Sequence, residues 1–456
     1  DPALATLSAT DLVAGYTAGA FTPTEVHEAV QAVVTASEPV LNALWHHDPE
    51  SSARAAAGST RRWAAGRPTG PLDGVPVTVK ENLARAGVPM PAGTAAVDPV
   101  VPEHDSPVVA RLLEAGAVIV GSTVMPDWGM LSSGVSSRHG ITRSPWDPAW
   151  TSGGSSAGAA VAAAGGYGPL HVGTDIGGSI RLPGTWLGLV TLKPSYGRVP
   201  LDAPYLGRVA GPMTRTVADA ALLMSVVSRP DDRDYTALPA QEIPWSDLGA
   251  PTDPTPYDVR GLRVGLHLDA GCGRPAEPEV VAAVEAAAAV FADAGARVEP
   301  LAPFLDEGLL DDLDLFLRVR SLTDYEALPP ERQQRLLPYV RDWCTAAAGT
   351  SGTAALTAYH GVMEMARRTV AATLPFDVVL SPVAPCPAFP AEQPMPYPDN
   401  GRGMQHIGFT AAFNVSGQPA GTVNAGFTAD GRPLGVQVSG RRFADLEVLR
   451  AMAWFE

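Results

Sequence analysis

Two stretches organise this chain, namely Thr151-Ser-Gly-Gly-Ser-Ser-Ala-Gly-Ala-Ala-Val-Ala-Ala-Ala-Gly-Gly166 and Gly173-Thr-Asp-Ile-Gly-Gly-Ser-Ile-Arg-Leu-Pro183. The first is a glycine-serine loop that runs into a series of small residues, and the second is another glycine-serine loop. Gly153 and Gly154 let the backbone bend sharply and come close to another group. The alanine-rich run 157–164 favours a helix that packs closely against a sheet.

The second loop has the composition of an anion-binding turn. Its successive backbone N–H groups can point toward one place and bind an anion, or an oxygen atom that becomes one. The donors would be Ile176, Gly177, Gly178 and Ser179. Because Ser179 closes this loop, a hydroxyl nucleophile would lie beside its own oxyanion site.

Lysine usage singles out a third segment of the sequence. Lys and Arg total 32, yet the chain contains only two lysines, Lys80 and Lys193. Lys80 ends the β-branched run Gly74-Val-Pro-Val-Thr-Val-Lys80. Arg stays protonated in proteins, whereas a desolvated Lys can lose its proton. Lys80 is therefore a candidate base, and a lysine that merely ends a strand is the alternative.

Together these segments resemble the amidase signature family, whose members cleave amides with a Ser–cis-Ser–Lys triad. The resemblance rests on Lys80, on the loop Gly153–Ser156 and on Gly173–Arg181. It extends over roughly residues 68–456 through the further segments Leu192–Gly197, Gly211–Asp219, Asn414–Pro419 and Asp430–Gln437. The resemblance implies an α/β fold, in which helices cover both faces of a large mixed β-sheet.

The resemblance also implies a catalytic mechanism. Ser179 matches the nucleophile, Ser155 matches a bridging serine preceded by a cis peptide, and Lys80 matches the base. Neutral Lys80 would draw the proton of Ser155, which in turn would draw that of Ser179. Ser179 would attack the amide carbonyl, and water would release the acyl-enzyme. This chemistry requires neither a metal nor an organic cofactor.

Other residues would support this triad or bind the substrate. By resemblance, the loop donors Ile176, Gly177, Gly178 and Ser179 form the oxyanion site, and the supporting residues are Ser156, Asp175 and Arg181. Large aromatic side chains usually pack in cores. Together, however, Trp128, Trp150, Trp186 and Tyr205 indicate an apolar or aromatic acyl pocket. The predicted substrate is a small-molecule amide, and its predicted contacts are Trp128, Gly129 and the adaptable side chain of Met130.

Composition excludes several other classes of protein. The chain has 456 residues, of which 46% are hydrophobic, so it can bury a large core. A net charge of −16 argues against nucleic acid and anionic membranes as partners. No apolar run reaches the roughly 18 residues of a membrane span, and no signal segment begins the chain. The sequence starts at Asp1 without Met, so the question of a removed leader stays open.

Cysteine and histidine spacing indicates no metal site. Cys272, Cys344 and Cys386 are far apart and odd in number, which favours a reduced, cytoplasmic compartment. The adjacent His46 and His47 are predicted to be a surface pair, because no spaced third ligand accompanies them.

One large domain is predicted. Residues 1–66 form its N-terminal helical segment, and residues 67–456 form the amidase signature domain. Helices followed by apolar strands recur along the chain, at 107–120 and at 278–299, as in α/β sheets. The Pro-rich stretches Arg229–Tyr257 and Pro382–Pro398 are predicted to be excursions from that domain. The region 306–373 is predicted to be helical and to face the substrate.

Three other functions stay open at this stage. A glutaminase-type subunit of a tRNA-dependent amidotransferase works only with partner chains. It usually carries a Leu-Asp-Gln-containing segment where this chain has Leu206–Pro212. An inactive homologue used as a binding protein is disfavoured by the intact triad. A serine esterase would use Gly154-Ser-Ser156-Ala-Gly158 as a nucleophile elbow, but Pro145 and Pro148 disfavour the strand that such an elbow needs. The oligomeric state also stays open, with a homodimer as one outcome.

Overall fold

One mixed β-sheet runs through the protein. The structure is a computed structural model that describes residues 2–249 and 257–456. The strands in the described residues are β1 (Leu44–His47), β2 (Pro76–Lys80), β3 (Val118–Thr123), β4 (Val135–Ser136), β5 (Gly140–Ile141), β6 (Leu170–Asp175), β7 (Val190–Lys193), β8 (Val209–Thr214), β9 (Arg263–Leu266), β10 (Arg297–Pro300), β11 (Val378–Pro382), β12 (Ala420–Phe427) and β13 (Pro433–Gly440).

The helices of the same residues are α1 (Ala9–Ala18), α2 (Pro23–Leu41), α3 (Pro49–Ala64), α4 (Pro107–Glu114), α5 (Ala157–Ala164), α6 (Arg181–Leu187), α7 (Val217–Val227), α8 (Pro278–Asp293), α9 (Glu307–Glu326), α10 (Pro330–Gln333), α11 (Pro338–Thr345), α12 (Gly352–Thr373), α13 (Gly408–Val415) and α14 (Asp445–Phe455). Short 3₁₀ turns occupy Pro2–Thr6, Asp127–Gly129, Trp245–Gly249 and Asn400–Arg402.

The main sheet has eleven described strands in the order β1-β3-β2-β6-β8-β7-β12-β13-β11-β9-β10, and β4 pairs with β5 separately. Its centre combines both strand directions: β2 runs parallel to β3 and β6, whereas β8, β7, β12 and β13 form an antiparallel series. The register of β2 with β6 pairs Val79 with Val172. This register brings Lys80, the last residue of β2, level with the end of β6, from which the second glycine-serine loop emerges.

Helices cover both faces of the sheet, as two glycines show. Gly421 on β12 pairs with Val438 on β13, so these two residues point to the same face of the sheet. Gly435 lies an odd number of residues from Val438 along β13, so Gly435 and Gly421 point to opposite faces. A Cβ at Gly421 would meet Met452 of α14, whereas a Cβ at Gly435 would meet Thr185 of α6. The predicted fold class, a mixed sheet covered on both faces, is confirmed.

Residues 1–66 are not helical throughout. Leu44–His47 is an edge strand that pairs antiparallel with β3. His46 and His47 are half-buried in it rather than forming a surface pair, and His47 contacts Gln31 at 2.7 Å. A strand of four half-buried residues has no alternation of apolar and polar side chains, so the sequence carried no local signal for it.

The strands that the sequence predicted after the helices at 107–120 and 278–299 are present as β3 and β10. Helices α9, α11 and α12 fill most of the region 306–373, and their apolar side chains form a cluster separate from the main core. Of the predicted excursion Arg229–Tyr257, residues 250–256 lie outside the described part of the chain. Within the described residues, no helix is long and apolar enough to cross a membrane.

Gly435 leaves no room for a side chain between β13 and α6. A Cβ there would lie 2.7 Å from Thr422 Cγ2 and 2.8 Å from Thr185 Oγ1. We expect Gly435→Ala to lower the melting temperature, because overpacking typically costs about 1–3 kcal/mol. Gly352→Ala is the control, since no described atom outside its own helix lies within 4 Å of that Cβ position. Equal melting temperatures for the two variants would contradict this packing.

Candidate active site

Lys80 lies at the end of β2 with no exposure to solvent. Its Nζ donates hydrogen bonds to Ser155 Oγ at 2.9 Å and to Ser156 Oγ at 3.0 Å. The pKa of Lys80 is lowered to about 7, first by burial and then by the charge of Arg208, while Asp175 and Glu81 oppose the shift. Lys80 can therefore exist as a neutral amine near neutral pH, in contact with two hydroxyl groups.

Lys193, the other lysine, is equally buried, and its pKa is likewise lowered to about 7, by burial and then by Arg181. Its Nζ donates to the carbonyl oxygen of Pro194 at 2.8 Å. Because a backbone carbonyl has no proton to give up, Lys193 has no hydroxyl to activate there. Within the described part of the chain, Lys80 is thus the lysine that contacts serine side chains.

Ser155 and Ser156 follow one another but make different contacts. The peptide bond between Gly154 and Ser155 is cis, as predicted, and Ser155 faces a cavity. Ser156 Oγ instead donates to the carbonyl oxygen of Thr174 at 3.0 Å and accepts from its N–H at 3.1 Å. Ser156 is fully buried. Its hydroxyl ties the first loop to β6, and the elbow assignment of Ser156 as a nucleophile has no geometric support.

Ser179 is half-buried and lines the same cavity as Ser155. The loop before it does not present all four predicted donors, because the Gly178 N–H donates to Asp175 Oδ1 at 2.8 Å. The N–H groups of Ile176, Gly177 and Ser179 form no hydrogen bond with any described residue, and they remain as candidate oxyanion donors. No direct hydrogen bond joins the Ser155 and Ser179 hydroxyls within the described residues.

Asp175 and Arg181 form the supporting pair that the sequence predicted, and neither side chain is exposed. Arg181 Nε and Nη2 each donate to one carboxylate oxygen of Asp175 at 3.0 Å. Burial alone would raise the pKa of Asp175, but the charge and hydrogen bonds of Arg181 hold that pKa well below its usual range. This pair therefore stays ionised inside the protein.

Two residues of this network were not singled out from the sequence. Asn414 on α13 donates to Asp175 at 2.8 Å and accepts from Arg181 at 2.5 Å, and Gln437 on β13 accepts from Arg181 at 2.8 Å. Both lie in segments that carried the family resemblance. A polar residue within such a segment was the only available signal, and it did not specify a partner.

A cavity of about 570 Å³ opens at this site. Its walls are formed by Asn82, Ala92, Met125, Trp128, Gly129, Ser155, Thr174, Asp175, Ile176, Ser179, Ala203, Pro204, Tyr205, Arg208, Arg320, Thr323 and Asp324. Among the predicted substrate contacts, Trp128 and Gly129 are therefore in place. Met130 instead lines a smaller space of about 30 Å³ that also borders Ser179.

Two of the predicted aromatic residues lie elsewhere. Trp186 is buried, donates to the carbonyl of Cys386 at 3.0 Å and packs edge-on against Phe389. Trp150 lies under the guanidinium of Arg432, 4.7 Å from it. Of the four aromatic residues predicted to form an acyl pocket, Trp128 and Tyr205 line the cavity and Trp150 and Trp186 do not. The positions of Trp150 and Trp186 depend on neighbours from segments distant in sequence.

The backbone beside the cavity is strained. Ala92 and Trp128 both have positive φ, at 54° and 52°, although neither is glycine. The Trp128 N–H donates to the carbonyl of Ala92 at 2.8 Å, which holds the two residues together. Left-handed backbone costs about 1–2 kcal/mol for such residues. The surrounding structure therefore fixes the position of the Trp128 ring.

Potential metal ligands do not cluster in the part of the chain that the structure describes, where no group of three or more His, Cys, Asp or Glu could hold an ion. The three cysteines are buried free thiols.

Known proteins are similar to this chain over nearly its whole length. The family model described as Amidase matches residues 25–449. The acylamidase of Rhodococcus erythropolis is 33% identical over an alignment of 463 positions, which covers 99% of this chain and 95% of that protein. A glutamyl-tRNA(Gln) amidotransferase subunit of Chloroflexus aurantiacus is 32% identical over an alignment of 475 positions, which covers 97% of this chain and 95% of that protein.

Solved structures are similar over the same length. The structure of a bacterial aryl acylamidase of the amidase signature family has a TM-score of 0.89 at 29% identity, covering 99% of this chain and 96% of that one. The peptide amidase from Stenotrophomonas maltophilia has a TM-score of 0.81 at 26% identity, with coverages of 98% and 96%.

The two loop glycines should respond differently to an added methyl group. Gly178 has a φ of +131°, and a Cβ there would lie 2.7 Å from Leu182 and 2.8 Å from Thr410. At Gly177 the nearest atom to a Cβ would be 3.6 Å away, on Ile407. We expect Gly178→Ala to lower the melting temperature clearly, and Gly177→Ala to leave it near that of the parent. The reverse order in a thermal melt would contradict the loop conformation.

Proposed function

This chain belongs to the amidase signature family, which makes it an amidohydrolase of carboxylic amide C–N bonds, and we propose that it works through an acyl-enzyme on Ser179. The observation that carries the proposal is the 2.9 Å hydrogen bond between Lys80 and Ser155, on a wall that Ser155 shares with Ser179. Lys80 acts as the base, Ser155 passes the proton, and Ser179 attacks.

Each proposed step uses Lys80 or groups of the cavity wall. Neutral Lys80 accepts a proton from Ser155, whose hydroxyl can accept one from Ser179 at the same time. The tetrahedral oxyanion is stabilised by the N–H groups of Ile176, Gly177 and Ser179, each of which contributes about 3 kcal/mol in comparable sites. The proton returns to the leaving amine through the same relay, and water then hydrolyses the acyl-enzyme.

The substrate is proposed to be an amide with an aryl or apolar portion. Trp128, Tyr205 and Met125 supply an apolar part of the cavity wall. Similarity to an acylamidase and to an aryl acylamidase supports this class. Helix α9 adds Arg320, Thr323 and Asp324 to the wall, which supports a substrate-facing role for the helical region 306–373 within a single domain. A cytoplasmic location is proposed from the free thiols.

A glutaminase-type subunit is the second candidate function, because a relative at 32% identity is named as a glutamyl-tRNA(Gln) amidotransferase subunit. Such a subunit would prefer glutamine and require a partner chain. The chain differs at Arg208, which lies in the cavity wall in the segment where that subunit usually has Leu-Asp-Gln. Turnover of simple amides by the isolated chain, with no advantage for glutamine, would separate the two functions.

Ser179→Ala tests the nucleophile. We expect kcat for an anilide substrate to fall by about 10⁴-fold or more, since removing a serine nucleophile disables the whole relay. Ser156→Ala is the matched control: it should lose less activity and should still form an acyl-enzyme on Ser179, which mass mapping of trapped intermediate would detect. An acyl group found on Ser156, or near-normal turnover by Ser179→Ala, would end the assignment.

The pH dependence tests the base. The pKa of Lys80 lies near 7, so kcat/KM should rise as the pH increases through about 7 and then level off, because only neutral Lys80 accepts a proton. Lys80→Arg should lose activity as fully as Lys80→Ala, since Arg stays protonated. His139 contacts Glu81 at 3.0 Å, and His139→Asn should retain the same rise of kcat/KM with pH. Substantial activity in Lys80→Arg, or loss of that rise in His139→Asn, would show that another residue is the base.

A further inference from the structure

Two arginines from different elements line the active-site cavity. Arg208 precedes β8, and Arg320 lies on α9, and both contribute to the wall that contains Ser155 and Ser179. The guanidinium of Arg320 lies over the ring of Tyr205, 5.0 Å from its centre, and Nη2 lies 3.5 Å from Met130 Sδ. These contacts orient Arg320 without neutralising its charge.

The most deeply buried arginines among the described residues have carboxylate partners. Arg181 pairs with Asp175, Arg198 pairs with Asp445, and Arg318 pairs with Asp314. Within the described residues, by contrast, neither Arg208 nor Arg320 forms a salt bridge. Buried cations are usually paired because water no longer solvates them. Arg208 and Arg320 are half-buried. Two other half-buried arginines without a salt bridge, Arg138 and Arg215, donate to backbone carbonyl oxygens instead. Among the described residues the side chains of Arg208 and Arg320 have neither a carboxylate nor a carbonyl partner, which indicates a place for a ligand anion.

The two positive charges also act on each other. Burial lowers the pKa of Arg208, and the charge of Arg320 lowers it further. Asp324 lies in the same wall, but it is exposed and forms no salt bridge with Arg320 among the described residues. Two guanidinium groups thus share one unpaired, solvated carboxylate. The other carboxylate of the wall, Asp175, is already paired with Arg181. The cavity therefore carries a local excess of positive charge, although the whole chain has a net charge of −16.

We propose that Arg208 and Arg320 form an anion subsite of the cavity, and that the amide substrate carries a carboxylate group. The inference rests on the proposed function and names the substrate class of the same site. A guanidinium presents a planar pair of donors that matches a carboxylate in geometry and charge. The apolar portion of the same substrate packs against Trp128 and Met125, and the carboxylate lies between the two arginines.

Binding is measured first on Ser179→Ala, where no turnover occurs. The probes are two matched pairs in which a methyl ketone replaces the carboxylate at nearly equal size. Succinanilate and levulinanilide place the group on the acyl side, and 4-acetamidobenzoate and 4-acetamidoacetophenone place it on the amine side. We expect the anionic member of one pair to bind at least about 10-fold more tightly by calorimetry, since hydrogen bonds to charged groups are the strong ones. The pair that shows this preference identifies the side of the amide that faces the arginines.

Kinetics on otherwise wild-type protein then assign the preference to the arginines. We expect Arg320→Gln to lower kcat/KM for the preferred anionic amide by about 10–100-fold, mainly through KM. In the same variant, kcat/KM for the neutral amide of the same pair should change by less than about 3-fold. Arg320→Lys should retain part of the preference, since it keeps the charge. Arg332→Gln is the control, because Arg332 is paired with Asp98 and is not part of the cavity wall. Arg208→Gln is compared with the parent protein at a pH where kcat/KM no longer rises, because Arg208 also lowers the pKa of Lys80.

Equal binding of both members in both pairs to Ser179→Ala would overturn the subsite. The subsite would also be overturned if Arg320→Gln and Arg320→Lys both lowered kcat/KM equally for the anionic and the neutral amide. Failure of the proposed function looks different: the active protein would cleave none of the four amides and would form no acyl group on Ser179, while Ser179→Ala could still prefer the anionic probes.

Discussion

The ion pair of Asp175 and Arg181 is where four elements of the structure meet. Asp175 ends β6, Arg181 begins α6, and Asn414 of α13 and Gln437 of β13 add further hydrogen bonds to the pair. Two charges removed from water are stable only when their geometry and hydrogen bonds are complete. Loss of either partner would leave a buried charge, which typically costs about 3–5 kcal/mol. The ion pair and the loop between its members therefore form one unit.

That unit fixes the conformation of the loop that carries Ser179. Asp175 accepts hydrogen bonds from the N–H groups of Gly178 and Ile180, on either side of Ser179. These bonds engage the Gly178 N–H, whereas the N–H groups of Ile176, Gly177 and Ser179 have no acceptor among the described residues. A loop ordered in advance stabilises a developing oxyanion without reorganising during the reaction.

Burial by itself does not distinguish a catalytic lysine from a structural one. Lys80 and Lys193 have the same exposure and pKa values lowered to about 7 for the same main reason. Their partners differ: Lys80 contacts two hydroxyl groups, and Lys193 contacts a carbonyl oxygen. A lowered pKa marks a group that can change its charge, and its neighbours determine whether that change has a use.

The amino-acid order alone identified the family and predicted most of the main elements, because both depend on local residue patterns. The serine-glycine loops, Lys80 at a strand end and the apolar runs after helices α4 and α8 were all readable without a structure. Pairing between distant segments was not, because local periodicity carries no information about it. Only the tertiary structure made Leu44–His47 an edge strand and moved Trp150 and Trp186 away from the site. It also turned the Gly178 N–H toward Asp175 and brought Arg208 and Arg320 to one cavity.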